Sequence, residues 1–164
     1  MPALLGSGAA GYRGVVADET THQEELDRNW NELLQELRVA QTGVQILTGF
    51  LLTVPFSSRF EELDQLQLTA YLVVLSGAAL TTALVIAPVA FHRLLFRQHE
   101  KDWLVRAANL SARCGLVSLA LTVSGVLFLV FDIVVGLAAG LVALAVSLVV
   151  FAVLWAVVPM LERD

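Results

Sequence analysis

Polar stretches alternate with four apolar runs along this chain. From Leu26, apolar residues recur at spacings of three and four, as Leu26, Trp30, Leu33, Leu34 and Leu37, with acids between them, which is the pattern of an amphipathic helix. Trp30 suits the headgroup level, since its ring is apolar and its N–H wants a wet partner. Neither Gly nor Pro lies between Leu26 and Thr42, so the pattern predicts that this helix continues into a first span over about 39–56, closed by Pro55. Further spans are predicted over about 66–91, with Pro88 in the last turns, about 107–131 and about 133–158. From Cys114 to Val158 one charge, Asp132, interrupts the run. At about 1.5 Å per residue that run is roughly twice the hydrocarbon thickness, so it must fold back. Asp132 is expected to mark the turn and to cap the fourth helix with its carboxylate. The expected fold is all-α, an integral membrane four-helix bundle with an N-terminal amphipathic helix continuous with the first span, occupying residues 25–160. Residues 1–24 are Gly/Ala-rich at their start and lack a basic n-region and an apolar core. They read as a disordered arm or as the product of a start site placed too early.

Composition agrees. Hydrophobic residues make up 57% of the chain and its mean hydropathy is +0.76, against about 45–50% apolar residues in soluble domains. The net charge of −5 comes from acids crowded near the N-terminus, Asp18, Glu19, Glu24, Glu25, Asp27, Glu32 and Glu36, and nothing points to nucleic acid. Basic residues set the expected orientation. Arg28, Arg38, Arg93, Arg97, Lys101, Arg106 and Arg163 fall on one side of the four-span arrangement and Arg59 on the other, which predicts a plasma-membrane protein with both termini cytoplasmic. Cys114, the only cysteine, can form no internal disulfide and reads as a small hydrophobe.

Candidate chemistry is confined to polar residues near or within the spans. Arg38, Gln41, Gln45 and Thr48 recur at three and four and share one side of the first span, and Arg106, Asn109 and Arg113 do the same on the third. With His92 at the end of the second span and Glu36 nearby in sequence, these residues are expected to gather in the cytoplasmic third of the bundle. A charge at the membrane centre costs about 2.5–3.5 kcal/mol on insertion scales, so they should face the interior, water or an acid. Two readings stay open: a water-filled vestibule for an ion or small solute, or snorkelling arginines and amides that fix packing. On the fourth span Gly136, Gly140, Ala143 and Ser147 form a small-residue stripe, and Gly115, Ser118, Thr122 and Gly125 form another on the third. These stripes are expected either to pack on each other within one hairpin or to serve a homo-oligomer. His22, His92 and His99 lack a matching Cys/His set, and no phosphate-binding loop or nucleophile elbow occurs. No catalytic set, metal or cofactor is therefore expected, and the anticipated partners are the lipid bilayer, a second copy or an unidentified membrane protein.

The run from Arg28 to Leu52 (RNWNELLQELRVAQTGVQILTGFLL), with Ile86–Arg93 (IAPVAFHR) and Phe131–Gly136 (FDIVVG), resembles an uncharacterised family of small four-span membrane proteins found mainly in actinobacteria. The resemblance covers about residues 25–160 and implies topology and location. Some members of that family carry a sodium:proton antiporter label, so it also implies an alternative function, an oligomeric antiporter or other cation transporter. The preferred expectation is a structural or partner-binding membrane protein, because the acid Asp132 falls at a predicted hairpin tip rather than at mid-membrane.

Overall fold

The computed structural model describes residues 28, 32, 34–95 and 101–161. The arm at 1–24, together with Leu26, Trp30, Leu33, Arg97, His99 and Arg163, lies outside the described residues. The chain divides into two compact units, Met1–Glu36 and Leu37–Asp164. In the first, Arg28 and Glu32 are helical and exposed, with Nε and Oε1 3.8 Å apart one turn along the helix.

The second unit is a bundle of helices. In it helix α1 covers residues 37–53, α2 is Gln65–Leu95, α3 is Lys101–Val134 and α4 is Leu137–Ala152. Past Ala152 the backbone widens into a π-helical turn, Val153–Val157, followed by α5, Val158–Leu161. Four stretches are long and apolar enough to cross a membrane: Leu34–Phe56, Gln65–Phe91, Val105–Val134 and Leu137–Val157. Every large apolar side chain that this surface leaves exposed, such as Leu72, Val117, Leu141 and Val149, would be costly in water and is at home in lipid. The protein is a multi-pass membrane protein.

Two prolines shape the spans through the carbonyls they leave open. Pro55 ends α1 in a short 3₁₀ turn, Val54–Phe56, and has no N–H to offer the Leu51 carbonyl one turn back. The Tyr71 hydroxyl on α2 donates to that carbonyl at 3.0 Å. Pro88 sits inside α2, fully buried, and likewise leaves the Leu84 carbonyl without its helical donor. The Ser111 hydroxyl on α3 donates to it at 2.7 Å. Membrane helices tolerate proline when a neighbouring helix supplies such a donor, because hydrocarbon supplies none.

Tyr71 also centres the core, with Leu51, Val74, Ala78 and Leu129 around it. Phe60, from a second 3₁₀ turn at Ser58–Glu62, stands edge-on to the Tyr71 ring with centroids 5.5 Å apart. Helix α3 packs against both α2 and α4. The turn between α3 and α4 lies at Val135 and Gly136, whose N–H groups both reach the Phe131 carbonyl, at 2.9 and 3.2 Å. Gly136 has φ +121° and ψ 170°, a backbone that only glycine adopts without strain. The expected turn at Asp132 is therefore corrected: Asp132 lies inside the last turn of α3, and no side chain caps α4.

Candidate functional site

At the loop end of the bundle, polar side chains form a small clasp. Asp64 precedes α2, and its carboxylate accepts from the Gln67 N–H at 2.8 Å while the Gln67 carbonyl oxygen Oε1 accepts from the Asp64 N–H at 3.2 Å. This reciprocal pair satisfies free N–H groups at a helix start. The remaining end of the Gln67 amide, Nε2, donates to Oδ2 of Asp132 at 3.1 Å. Asp132 is buried, and its Cβ lies beside Gly140 of α4. One amide thus ties the start of α2 to the end of α3 at the point where α4 crosses.

Deeper in the bundle the α2–α3 interface holds a series of hydroxyls. Thr81 donates to Ser118 Oγ or the Gly77 carbonyl, each at 2.8 Å, and the Ser118 hydroxyl lies 3.4 Å from the same carbonyl. Thr122 returns its proton to the Ser118 carbonyl at 2.8 Å. Glycines let the backbones come this close. A Cβ on Gly77 would stand 2.6 Å from Thr122 Oγ1, and one on Gly125 would stand 2.7 Å from Val74 Cγ2. The stripe Gly115, Ser118, Thr122 and Gly125 therefore faces α2. Its expected pairing with the α4 stripe is corrected, since the α4 residue Gly140 meets Phe128 and Asp132, beyond the C-terminal end of that stripe. Helical spacing places the contacts: the line 115, 118, 122 and 125 continues through 129 to 132, so Asp132 stands at its C-terminal end, with Phe128 beside it toward α4. In the α4 stripe, Gly140 and Ser147 are buried, Gly136 and Ala143 half-buried. Ser147 donates to its own helix at the Leu144 carbonyl.

The polar cluster expected near the basic loop does not converge on the interior. Gln41 and Thr48 are half-buried, whereas Arg38 and Gln45 are exposed, so the stripe straddles the border between the two faces of α1. Arg106, Asn109 and Arg113 are all exposed on α3. In the N-terminal unit, Glu36 is exposed as well. His92 lies in the last turns of α2 and its side chain is outside the described residues. Among the described residues no group of three or more His, Cys, Asp or Glu side chains is placed to hold a metal ion.

Chemically, the interior offers hydroxyls and one amide that donate to backbone carbonyls, to each other or to a single carboxylate. Ser124 is the one fully buried side-chain oxygen among the described residues without a partner. Sequence reasoning missed Gln67, Tyr71, Thr81 and Ser111. The spacing Asp64-x-x-Gln67 was a visible capping signal, and each proline named an open carbonyl four residues back.

No curated protein and no solved structure matches this chain. A family model does, from Asp18, within the stretch read as an arm, to Pro159, and the described helices α1 to α4 all fall inside that range. The chain belongs to the family of unknown function DUF6328, matched over residues 18–159.

Proposed function

We propose that this protein is a structural or partner-binding component of the plasma membrane, with both termini cytoplasmic, and that it is neither a transporter nor an enzyme. One observation carries the reading: the α2–α3 hydroxyls are spent on helix–helix and backbone hydrogen bonds, while Arg38, Gln45, Arg106, Asn109 and Arg113 turn outward. A transport path would need polar groups that line an opening, and here the inward hydroxyls of Thr81, Ser111, Ser118 and Thr122 close contacts instead. The outward ones are placed to meet headgroups, water or another protein. The orientation is supported by the basic residues on the 92–106 side.

A second reading, a cation/proton exchanger, draws on the buried Asp132 carboxylate near the loop end of the bundle. Proteoliposomes loaded with a pH-sensitive dye separate the two. On addition of sodium or potassium, wild type is expected to match empty liposomes. A cation-dependent signal that Asp132→Asn abolishes would establish exchange and overturn the scaffold reading.

A further inference from the structure

Lines of residues with alternating three-and-four spacing run along helix α1, and they differ in burial and in polarity. Leu37, Gln41, Val44, Thr48 and Leu51 form the inward line, buried or half-buried, with Val44 only 1% exposed. Arg38, Thr42, Gln45, Gly49, Leu52 and Phe56 form another, and all six are exposed. Val39, Gly43, Ile46, Phe50 and Thr53 form a further exposed line of the same spacing, one that suits a helix packed along its length on another, but only the Arg38–Phe56 line carries an amide.

Depth makes that line unusual. With Phe56 at the loop end of its span, Gln45 lies about 17 Å further in, near the middle of a hydrocarbon core roughly 30 Å thick. Thr42 and Thr53 quench their hydroxyls on their own helix, at the Arg38 carbonyl (3.0 Å) and the Phe50 carbonyl (2.7 Å). None of the hydrogen bonds among the described residues involves the Gln45 amide. A Cβ on Gly77, Gly115, Gly125 or Gly140 would press on a neighbouring helix at 3.2 Å or less, but one on Gly49, as on Gly43 and Gly136, would meet nothing within 4 Å. Gly49 thus leaves room beside Gln45 that no residue of this chain fills.

We propose that a second copy of the chain packs on this line, two α1 helices side by side about an axis along the membrane normal, with their Gln45 amides hydrogen-bonded to each other. This rests on the partner-binding reading and names the partner. Copies that insert with one topology place α1 parallel and Gln45 at equal depth, so depth matching is automatic. An amide is both donor and acceptor, so the same side chain twice is self-complementary. The 3.5-residue period gives a left-handed crossing of about +20°. Arg38 lies toward the basic end, where two guanidinium groups can splay into the headgroups, so the contact runs from Thr42 to Phe56.

The test uses the full chain with Cys114→Ser, diluted into phosphatidylcholine–phosphatidylglycerol vesicles and oxidised with copper phenanthroline. Gly49→Cys and Leu52→Cys are expected to form disulfide-linked dimers, and Gly43→Cys and Phe50→Cys, which face off the line, far fewer. The association constant read by energy transfer between labelled copies should fall roughly 3- to 30-fold on Gln45→Leu and recover with Gln45→Asn. Gln45→Leu makes the span more apolar, and unchanged circular dichroism confirms that it folds. Equal cross-linking at all four positions, a dimer indifferent to Gln45→Leu, or monomers throughout would overturn the proposal. Monomers with no ion flux would leave the scaffold reading standing with a different occupant, whereas ion flux would overturn that reading whatever the cross-links show.

Discussion

On its α2 side, helix α3 offers Ser111, Ser118 and Thr122, and hydrogen bonds cross to the Leu84 carbonyl and Thr81. On its α4 side it offers the Phe128 carbonyl and Asp132 to a glycine, and the Ser147 hydroxyl of α4 turns back to its own helix. One interface is directional, built from donors that must find acceptors. The other has no such bond among the described residues and depends on close approach alone, which the first combines with its donors through Gly77 and Gly125. In a bilayer, where lipid tails compete equally for apolar surface, these are the two means by which helices can prefer each other to lipid. They should fail differently.

The largest effect is expected from Gly140→Leu. A Cβ there would stand 2.9 Å from the Phe128 carbonyl oxygen, which belongs to backbone and cannot swing away. The α3–α4 contact should lose about 3 kcal/mol or more, read as reversible unfolding in mixed micelles, while the α2–α3 hydrogen bonds persist. A smaller and more diagnostic effect attaches to the open carbonyl. Ser111→Ala strands Leu84 and should cost about 1–3 kcal/mol. Adding Pro88→Ala restores a helical N–H, and the double variant should recover much of that loss; if it is no better than Ser111→Ala alone, the proline account fails. Smallest is Thr81→Val, which deletes the bond to Ser118 and should cost about 0.6 kcal/mol, the average for such pairs in membranes. A loss as large as that of Gly140→Leu would mean that the hydroxyls, and not close approach, dominate the bundle.

Much of this architecture could be read from hydropathy. The second span, expected over about 66–91, is Gln65–Phe91, and the first begins earlier than 39 because Gln35, Glu36 and Arg38 do not interrupt a helix, only its apolar character. The α3–α4 turn was misplaced for a physical reason. A lone charge in an apolar run suggests a surface, but Gln67 receives the Asp132 carboxylate inside the bundle, and the chain bends where Gly136 permits a positive φ. Gly136 just past an apolar run was itself a stop signal. The polar stripes show the general limit. Spacing tells which residues share a face, as Ser118 and Thr122 do, but which neighbour that face meets depends on how the helices are arranged around α3. Gln41 and Gln45, one turn apart, fall on opposite sides of a border that sequence does not draw.

The two prolines also bear on how the bundle is made. If spans enter the bilayer in chain order, α1 arrives with the Leu51 carbonyl bare, and its donor, Tyr71, comes with α2. Helix α2 then carries the bare Leu84 carbonyl, and its donor, Ser111, comes with α3. An unsatisfied backbone group in hydrocarbon costs several kcal/mol, so each span holds a reason to wait for its successor and to prefer it to lipid or to a stranger. Biogenesis is thereby given a direction by chemistry already present in the finished fold.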